Sequence, residues 1–250
     1  MTTMTSNNQP SGFLLVDKPV GPTSHDVVAT VRRLLRPYGK KIKVGHAGTL
    51  DPYASGLLIL GIGSSTKALG QLLGLTKSYE TTIRLGATTA TDDAEATPIP
   101  TAGFTPPKEE TVRKALEKFI GTTMQLPPPF SAKKINGVAS YIHARQGKPV
   151  TLRPVPVTIT ALALITYSNN DVKISLTCSS GTYVRAVGRD LGVALGTGGY
   201  IIELRRTEIG PFSVKNAVTV TELTERTILE RLLPTTAVQN ERGTLDKKKC

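Results

Sequence analysis

The stretch KVGHAGTLDPYASGLL (43–58) decides how this chain is interpreted. Its Gly and Pro residues predict a loop between apolar segments, and loops held on a rigid scaffold often carry catalytic side chains. Pro52 fixes its own backbone and restricts that of Asp51, so the carboxylate sits in a stiff turn that can present it to a ligand. The same pattern also fits an ordinary turn in which Asp51 bonds to its own backbone.

His46 lies just upstream in the same stretch. Its side chain titrates near neutral pH, so it can contact RNA, act as an acid or base, or serve only a structural purpose. With three His and two Cys in the chain, Cys178 and Cys250 among them, the sequence predicts neither a zinc site nor a disulfide framework.

The chain is strongly basic. Of its 250 residues, 31 are Lys or Arg and 19 are Asp or Glu, which gives a net charge of +12. Such an excess favours a polyanionic partner, with nucleic acid first, although a basic enzyme with a solvated surface would show the same balance. Hydrophobic residues make up 39% of the chain, enough for a sizeable core.

Neither end of the chain resembles a targeting segment or a membrane span. The first residues lack a charged and an apolar signal region, and no apolar run approaches the ~18 residues that a span needs. We therefore expect a cytoplasmic protein with a disordered tail at 1–11, a catalytic domain at 12–235 and a basic tail at 236–250.

Outward from the central stretch, the hydrophobic pattern changes period several times. GFLLVDKP (12–19) predicts a strand, and Ser24 is the expected cap of a helix that runs to about Leu35. YETTIRL (79–85) alternates as a strand does, and an amphipathic helix is predicted from Glu109 to Ile120, stopped by Gly121.

Later segments add strands and one more helix. Strands are predicted at 155–165 and 172–178, and a turn followed by a helix that ends at Gly196 is predicted over 179–196. One more strand with a turn is predicted over 200–212. Helices and strands alternate without a regular βαβ pattern, so we predict an α+β fold rather than a doubly wound sheet. Residues 125–153 are rich in Pro, Lys and Arg and predict a protruding basic insertion.

Two further clusters contain polar residues that could serve a site. Tyr183 and Arg185 open the last helix, where the Arg could pair with a carboxylate across a pocket or simply lie at the surface. Asp92, Asp93 and Glu95 could hold a metal, but a solvent-exposed acidic turn is the commoner meaning of such a cluster.

Six of these segments, taken together, resemble the TruB family of tRNA pseudouridine-55 synthases. They follow the family's order over about 200 residues. The motifs are GFLLVDKPVGPTSHDVV (12–28), KVGHAGTLDPYASGLL (43–58), KSYETTIRLG (77–86), QLPPPFSAKKINGVASYIHARQG (125–147), SSGTYVRAVGRDLG (179–192) and ELRRTEIGPF (203–212).

The resemblance implies a role for each matching residue. Asp51 matches the catalytic aspartate, Tyr79 the tyrosine that stacks on the target base, and Arg185 the arginine that pairs with the carboxylate. Leu204 matches an apolar wall of the pocket, and Lys18 supports the first motif near the site.

Two more site residues follow from the same motifs. His46 matches a histidine that keeps the target base flipped out, and Tyr183 belongs to the Arg185 motif on the substrate side. Residues 125–153 match a thumb that closes over the tRNA T stem-loop. Its candidate phosphate contacts are Lys133, Lys134, Arg145 and Lys148.

The implied fold is the pseudouridine synthase α+β fold, with a large mixed sheet and flanking helices. The implied reaction converts the T-loop uridine at position 55 to pseudouridine and needs no cofactor, no metal and no obligate protein partner, so we expect a monomer that binds tRNA. Asp51 could attack the sugar, attack the base or remove a sugar proton, and the sequence leaves the three open.

The chain departs from the family pattern in two ways. Ala90 and Ala96 stand where the family more often has Asp and Gly. We also expect a short form without the C-terminal PUA domain that many relatives carry.

Three other functions compete with this interpretation. A tRNA-folding chaperone would use the same basic surface and pocket, and a guide-RNA-dependent synthase subunit would share the family motifs. A metal-dependent nuclease would instead rely on Asp92, Asp93 and Glu95.

Overall fold

The computed structural model describes residues 9–39, 41–131, 134–135, 138–146 and 151–238. The α-helices within them are α1 (Ser24–Leu34), α2 (Leu69–Leu73), α3 (Glu109–Glu117), α4 (Ser140–Arg145), α5 (Val184–Leu195) and α6 (Glu225–Glu230). Short 3-10 helices span Arg36–Tyr38, Gly63–Ala68, Val214–Asn216, Val220–Glu222 and Thr235–Val238.

Most strands in the described part of the chain are short, and five of them exceed seven residues. The first seven are β1 (Gly12–Lys18), β2 (Val44–His46), β3 (Ser55–Ile62), β4 (Lys77–Leu85), β5 (Ala87–Thr88), β6 (Ile99–Pro100) and β7 (Gly121–Gln125). The remaining strands are β8 (Lys134–Ile135), β9 (Val138–Ala139), β10 (Val155–Ser168), β11 (Asp171–Cys178), β12 (Gly199–Ile209), β13 (Phe212–Ser213) and β14 (Val218–Thr219).

The chain divides into two compact units, one inserted into the other in sequence. Unit 1 consists of Met1–Lys77 and Arg205–Cys250, and unit 2 consists of Ser78–Leu204. Strand β12 passes from unit 2 to unit 1 after Leu204.

Unit 1 is built on strands in the order β14-β1-β3-β12, with β2 beside β3 and β13 beside β12. Strands β1 and β3 pair antiparallel, whereas β12 runs parallel to β3, so the sheet is mixed. The continuous apolar run of β3 is buried, as expected for a strand covered on both faces. One core cluster of this unit contains Phe13, Leu15, Ala47, Leu57, Ile59, Leu72, Ile209 and Phe212.

The start of α1 corrects one prediction. Thr23, not Ser24, caps the helix, because its side chain accepts the Asp26 amide while the Asp26 carboxylate accepts the Thr23 amide. Ser24 is buried in the first turn, and its hydroxyl is used elsewhere, on the backbone of Leu50.

Unit 2 is built on strands in the order β12-β4-β11-β10-β7. The β10–β11 hairpin closes through Asn169 and Asn170, which both have left-handed backbones, φ 49° and 69°, as its tight turn demands. Alternate residues of β4 are buried from Tyr79 to Leu85, which confirms the strand period read from the sequence.

Helix α5 packs closely in unit 2 because glycines remove side chains from the contact. A Cβ on Gly192 would lie 2.2 Å from the backbone of Gly198, and one on Gly188 would lie 2.8 Å from the side chain of Ile201. The helix stops at Gly196, as predicted, and this glycine caps it in the left-handed conformation, with φ 69°.

The α+β prediction is confirmed, and several boundaries shift. Helix α3 ends at Glu117, so Ile120 lies beyond it, and Gly121 opens β7 rather than stopping a helix. Ser11 of the expected disordered tail is buried and bonds to Ser64 and Ser65 through its hydroxyl. None of the helices in the described part of the chain is long and apolar enough to cross a membrane.

We expect Gly192→Ala to destabilise the protein by about 3 kcal/mol or more, because the new Cβ meets backbone that cannot move aside. Gly196→Ala is the matched control. Nothing lies within 4 Å of its Cβ, so only the left-handed backbone opposes it, at about 1 kcal/mol. Urea unfolding measures both, and equal losses would contradict the proposed close packing of α5.

Candidate active site

Asp51 lies in unit 1, in the loop between β2 and β3, and is half-buried. Leu50, the residue before it, is hydrogen-bonded at both its amide and its carbonyl. The Ser24 hydroxyl donates to the Leu50 carbonyl at 2.9 Å, and the Leu50 amide donates to the same hydroxyl at 2.8 Å. Helix α1 therefore holds the loop through one side chain.

The residue after Asp51 is held as firmly. The Pro52 carbonyl accepts from the Gly21 amide at 2.8 Å and from the Lys18 ammonium at 3.4 Å. Lys18 is fully buried, and its Nζ also donates to the carbonyls of Pro19 and Pro22, each at 2.9 Å. Lys18 thus binds the backbone of the residue that follows Asp51, and its role in the site stays a prediction.

Arg206 reaches the same loop from β12. Its guanidinium is buried and donates to the carbonyls of Gly48, Thr49 and Leu57 at 3.1, 3.4 and 2.8 Å. Arg206 was not among the residues that the sequence singled out, although it lies two residues after Leu204 in the ELRRTEIGPF motif.

Burial shifts the pKa of two side chains near this loop, Lys18 and His46, in the direction of their neutral forms. Burial lowers the pKa of Lys18 from 10.5 to about 8, against the opposing pull of the Asp51 carboxylate, and the Arg206 charge lowers it further. Burial also lowers the pKa of His46, with smaller contributions from Arg206 and His25. Within the described residues, the buried Nδ1 of His46 has no hydrogen-bond partner.

Arg185 lies in unit 2, at the start of α5, and is buried rather than at the surface. Its guanidinium donates to the Thr91 carbonyl at 3.0 Å, to the Phe130 carbonyl at 2.8 Å and to the Asp93 carboxylate at 3.3 Å. The predicted pairing of Arg185 with Asp51 joins residues of different units and stays a prediction.

The acidic turn is a buried support for α5, so its interpretation as a solvent-exposed turn was wrong. Asp93 is fully buried and also accepts from the Thr91 hydroxyl and the Glu95 amide. Asp92 pairs with Arg189 at 3.0 Å, and burial raises the Asp92 pKa. Two arginines of α5 therefore pair with these two buried carboxylates.

Metal binding at this turn finds no support in the side chains present. Among the residues that the structure describes, no group of three or more His, Cys, Asp or Glu could hold a metal ion. The Asp93 carboxylate instead pairs with Arg185, and the Asp92 carboxylate pairs with Arg189.

The other predicted site residues of unit 2 lie on its strands and at the entry to α5. Tyr79 on β4 and Leu204 on β12 are both buried. The backbone of Tyr183 is clamped by the Gln125 amide, which donates to its carbonyl at 3.1 Å and accepts from its N–H at 2.9 Å. Gln125 is the last residue of β7 and was not among the residues that the sequence singled out.

The predicted phosphate contacts of the thumb fall largely outside the described residues. Lys133 and Lys148 are not among them. For Lys134 in β8 and Arg145 in α4 only the backbone is described. Ser131 and Ser140, both within 125–153, are buried, and the Ser140 hydroxyl donates to the Pro129 carbonyl at 2.6 Å.

Comparisons with known proteins agree over most of the chain. The family model for the TruB family pseudouridylate synthase N-terminal domain matches residues 32–184, and that for the tRNA pseudouridylate synthase B C-terminal domain matches 185–236. The tRNA pseudouridine synthase B of Corynebacterium diphtheriae is 45% identical over 225 residues, which cover 86% of this chain and 73% of the relative. That of Streptomyces avermitilis is 41% identical and covers 96% of this chain and 82% of the relative.

Solved structures give the same fold. A chain of the archaeal box H/ACA sRNP Nop10-Cbf5 complex matches with a TM-score of 0.68 and 25% identity, over 92% of this chain. A Cbf5-Nop10-Gar1 complex matches with a TM-score of 0.69 and 26% identity. This chain spans 61% of the length of each of those solved chains.

We expect Ser24→Ala to lower the free energy of unfolding by about 1–3 kcal/mol, because the Leu50 amide and carbonyl lose their buried partner. Hydrogen exchange of the Leu50 amide should accelerate. Thr23→Ala removes the helix cap at a cost of about 1 kcal/mol and should leave that amide protected. Retained protection of Leu50 in Ser24→Ala would contradict the assigned role of Ser24.

Lys18 makes stability depend on pH above neutrality. Between pH about 8 and 10.5 the unfolded chain holds the Lys18 proton more tightly than the folded one, so this group makes stability rise with pH in that window. We expect the free energy of unfolding of the wild type to increase relative to that of Lys18→Met as pH rises through the window. Urea unfolding at several pH values measures both. Lys108→Met, at an exposed lysine, should show no such gain.

Proposed function

The chain belongs to the TruB family of pseudouridylate synthases, and we propose that it isomerises the T-loop uridine at position 55 of tRNA, with Asp51 as the catalytic carboxylate. One observation carries the proposal. The half-buried Asp51 side chain sits between Leu50 and Pro52, whose backbone groups are fixed by buried side chains of the first two elements. Such pre-positioning suits a group that must meet a reacting atom.

The reaction needs a carboxylate and no added reagent. The bond from the sugar C1′ to uracil N1 breaks, the base turns, and C1′ bonds to C5. The C5 proton is then lost and N1 gains one, so substrate and product are isomers. Positive charge that develops on the sugar as the first bond breaks is stabilised by a nearby carboxylate, as in glycoside hydrolysis.

Residues of unit 2 are proposed to hold the base during this turn. The ring of Tyr79 would stack on the uracil, and Leu204 would exclude water from the detached base. Arg185 would pair with the Asp51 carboxylate, since a guanidinium and a carboxylate form strong charge-assisted hydrogen bonds. Gln125 would support this arrangement by fixing the backbone of Tyr183.

Binding must also offset the cost of flipping the base out of the folded loop, a few kcal/mol. Burial lowers the pKa of His46, and its neutral imidazole can both donate and accept a hydrogen bond in the flipped-out arrangement. Basic residues would contact phosphates. Besides the thumb, an exposed basic segment of unit 1 is a candidate, with Arg32, Arg33, Arg36, Lys41 and Lys43.

The direct test is pseudouridine mapping on an unmodified tRNA transcript incubated with the pure protein and a chelator. We expect modification at the single T-loop uridine at position 55. Modification elsewhere would overturn the assigned position. A transcript that is bound but never modified would overturn the proposed enzyme and favour a tRNA-folding chaperone.

Asp51→Asn is expected to abolish turnover, because the amide can neither carry the negative charge nor act as a base. Binding of tRNA should stay within about threefold of the wild type, since the substitution preserves shape. Single-turnover conversion and filter binding measure the two properties, and Glu117→Gln on exposed α3 is the matched control. Conversion by Asp51→Asn at the rate of the control would remove Asp51 from its role.

Lys133→Ala combined with Lys134→Ala is expected to reduce the slope of log affinity against log salt by about 1 for each lysine that contacts a phosphate. The control pair Lys114→Ala with Lys118→Ala, exposed at the end of α3, should leave the slope unchanged. Identical slopes for both pairs would place the thumb lysines outside the interface.

A further inference from the structure

Arg206 ties together the two ends of the loop that carries Asp51. The Gly48 and Thr49 carbonyls lie before Asp51 and the Leu57 carbonyl lies after it, and the one guanidinium donates to all three. The loop between these anchor points is short, so fixing both ends leaves the carboxylate little freedom.

The backbone of Arg206 restricts the same loop from the other side. Strand β12 runs parallel to β3 with Arg206 opposite Gly56, whose φ is 104°. A Cβ on Gly56 would lie 2.2 Å from the Arg206 carbonyl oxygen, so the two backbones are in tight contact. The side chain and the backbone of Arg206 therefore both contact the segment 48–57, which contains Asp51.

A buried arginine is a costly way to fix these three carbonyls. Arg206 is 1% exposed, and removing a guanidinium from water is costly. An apolar residue could fill the space but could not donate to three carbonyls. The fork of five donors in a fixed plane is what this side chain offers beyond volume and charge.

We infer that Arg206 is a positioning residue for catalysis, one that holds the Asp51 carboxylate in place through the backbone of residues 48–57 without touching the substrate. This inference rests on the proposed function for its catalytic part. Its structural part, the tether itself, can be tested independently of activity.

A purely architectural role for Arg206 would stabilise the whole of unit 1. A positioning role acts on one loop, so its loss should lower the rate of the chemical step and leave the fold and tRNA affinity intact. Arg206→Lys separates the two, because it keeps the charge and most of the volume but replaces the planar fork by a point donor.

The experiment compares Arg206→Lys with Arg205→Lys in the full-length protein. Arg205 is the adjacent residue on β12, pairs with the Asp17 carboxylate and is partly exposed, so it provides a matched control. For each variant, hydrogen exchange is measured over residues 47–54 and over β1, together with single-turnover conversion of a tRNA transcript and its dissociation constant.

For Arg206→Lys we expect faster exchange over 47–54 with β1 unchanged, and a single-turnover rate lower by about a hundredfold with binding kept within a few-fold. Arg205→Lys should match the wild type in exchange over 47–54. Wild-type exchange and rate in Arg206→Lys would overturn the inference, as would equal acceleration over 47–54 and β1.

Failure of the proposed function gives a different result. If the wild-type protein makes no pseudouridine, the proposed function falls, yet selective exchange over 47–54 in Arg206→Lys would still support the tether. If Arg206→Lys fails to fold, Arg206→Gln provides the second variant, and loss of folding in both would overturn positioning in favour of architecture.

Discussion

Much of the loop around Asp51 is buried, so its backbone amides and carbonyls need hydrogen-bond partners within the protein. Several elements of unit 1 supply these partners. A loop cannot satisfy its own amides and carbonyls as a helix or a sheet does, so partners must come from neighbouring elements. Ser24 supplies them from α1, Lys18 from β1 and Arg206 from β12. Three distant stretches of sequence thereby converge on one peptide segment.

Buried cations serve this purpose because each can satisfy several carbonyls at once. Lys18 and Arg206 each donate to three backbone oxygens, and their mutual repulsion contributes to the lowered pKa of Lys18. The Asp51 carboxylate opposes that repulsion.

In unit 2, buried carboxylates hold a turn against a helix by pairing with arginines. Asp93 and Asp92 bind Arg185 and Arg189, which places the first turns of α5 against the acidic turn. Ala90, where the family more often has Asp, lies in this turn, and the two neighbouring carboxylates still reach their arginines. The family models divide the chain at residue 184, inside the start of α5, whereas the compact units divide it at 77 and 204. The linear order of motifs thus differs from their grouping in space.

The sequence by itself determined the fold class, the major helices and strands, and the identity of Asp51 as the central candidate. The fold class and the elements follow from local periodicity, a property of neighbouring residues. The Gly- and Pro-rich loop alone left Asp51 open to an ordinary turn, and its role as central candidate rests on the resemblance of six motifs to one family. Tertiary structure alone decided that Ser24 bonds to Leu50 instead of capping α1, that Asp93 is buried, and that Arg206 holds the loop. Each of these is a hydrogen bond or ion pair between residues far apart in the chain, and residue type alone does not say which distant partner a polar side chain meets.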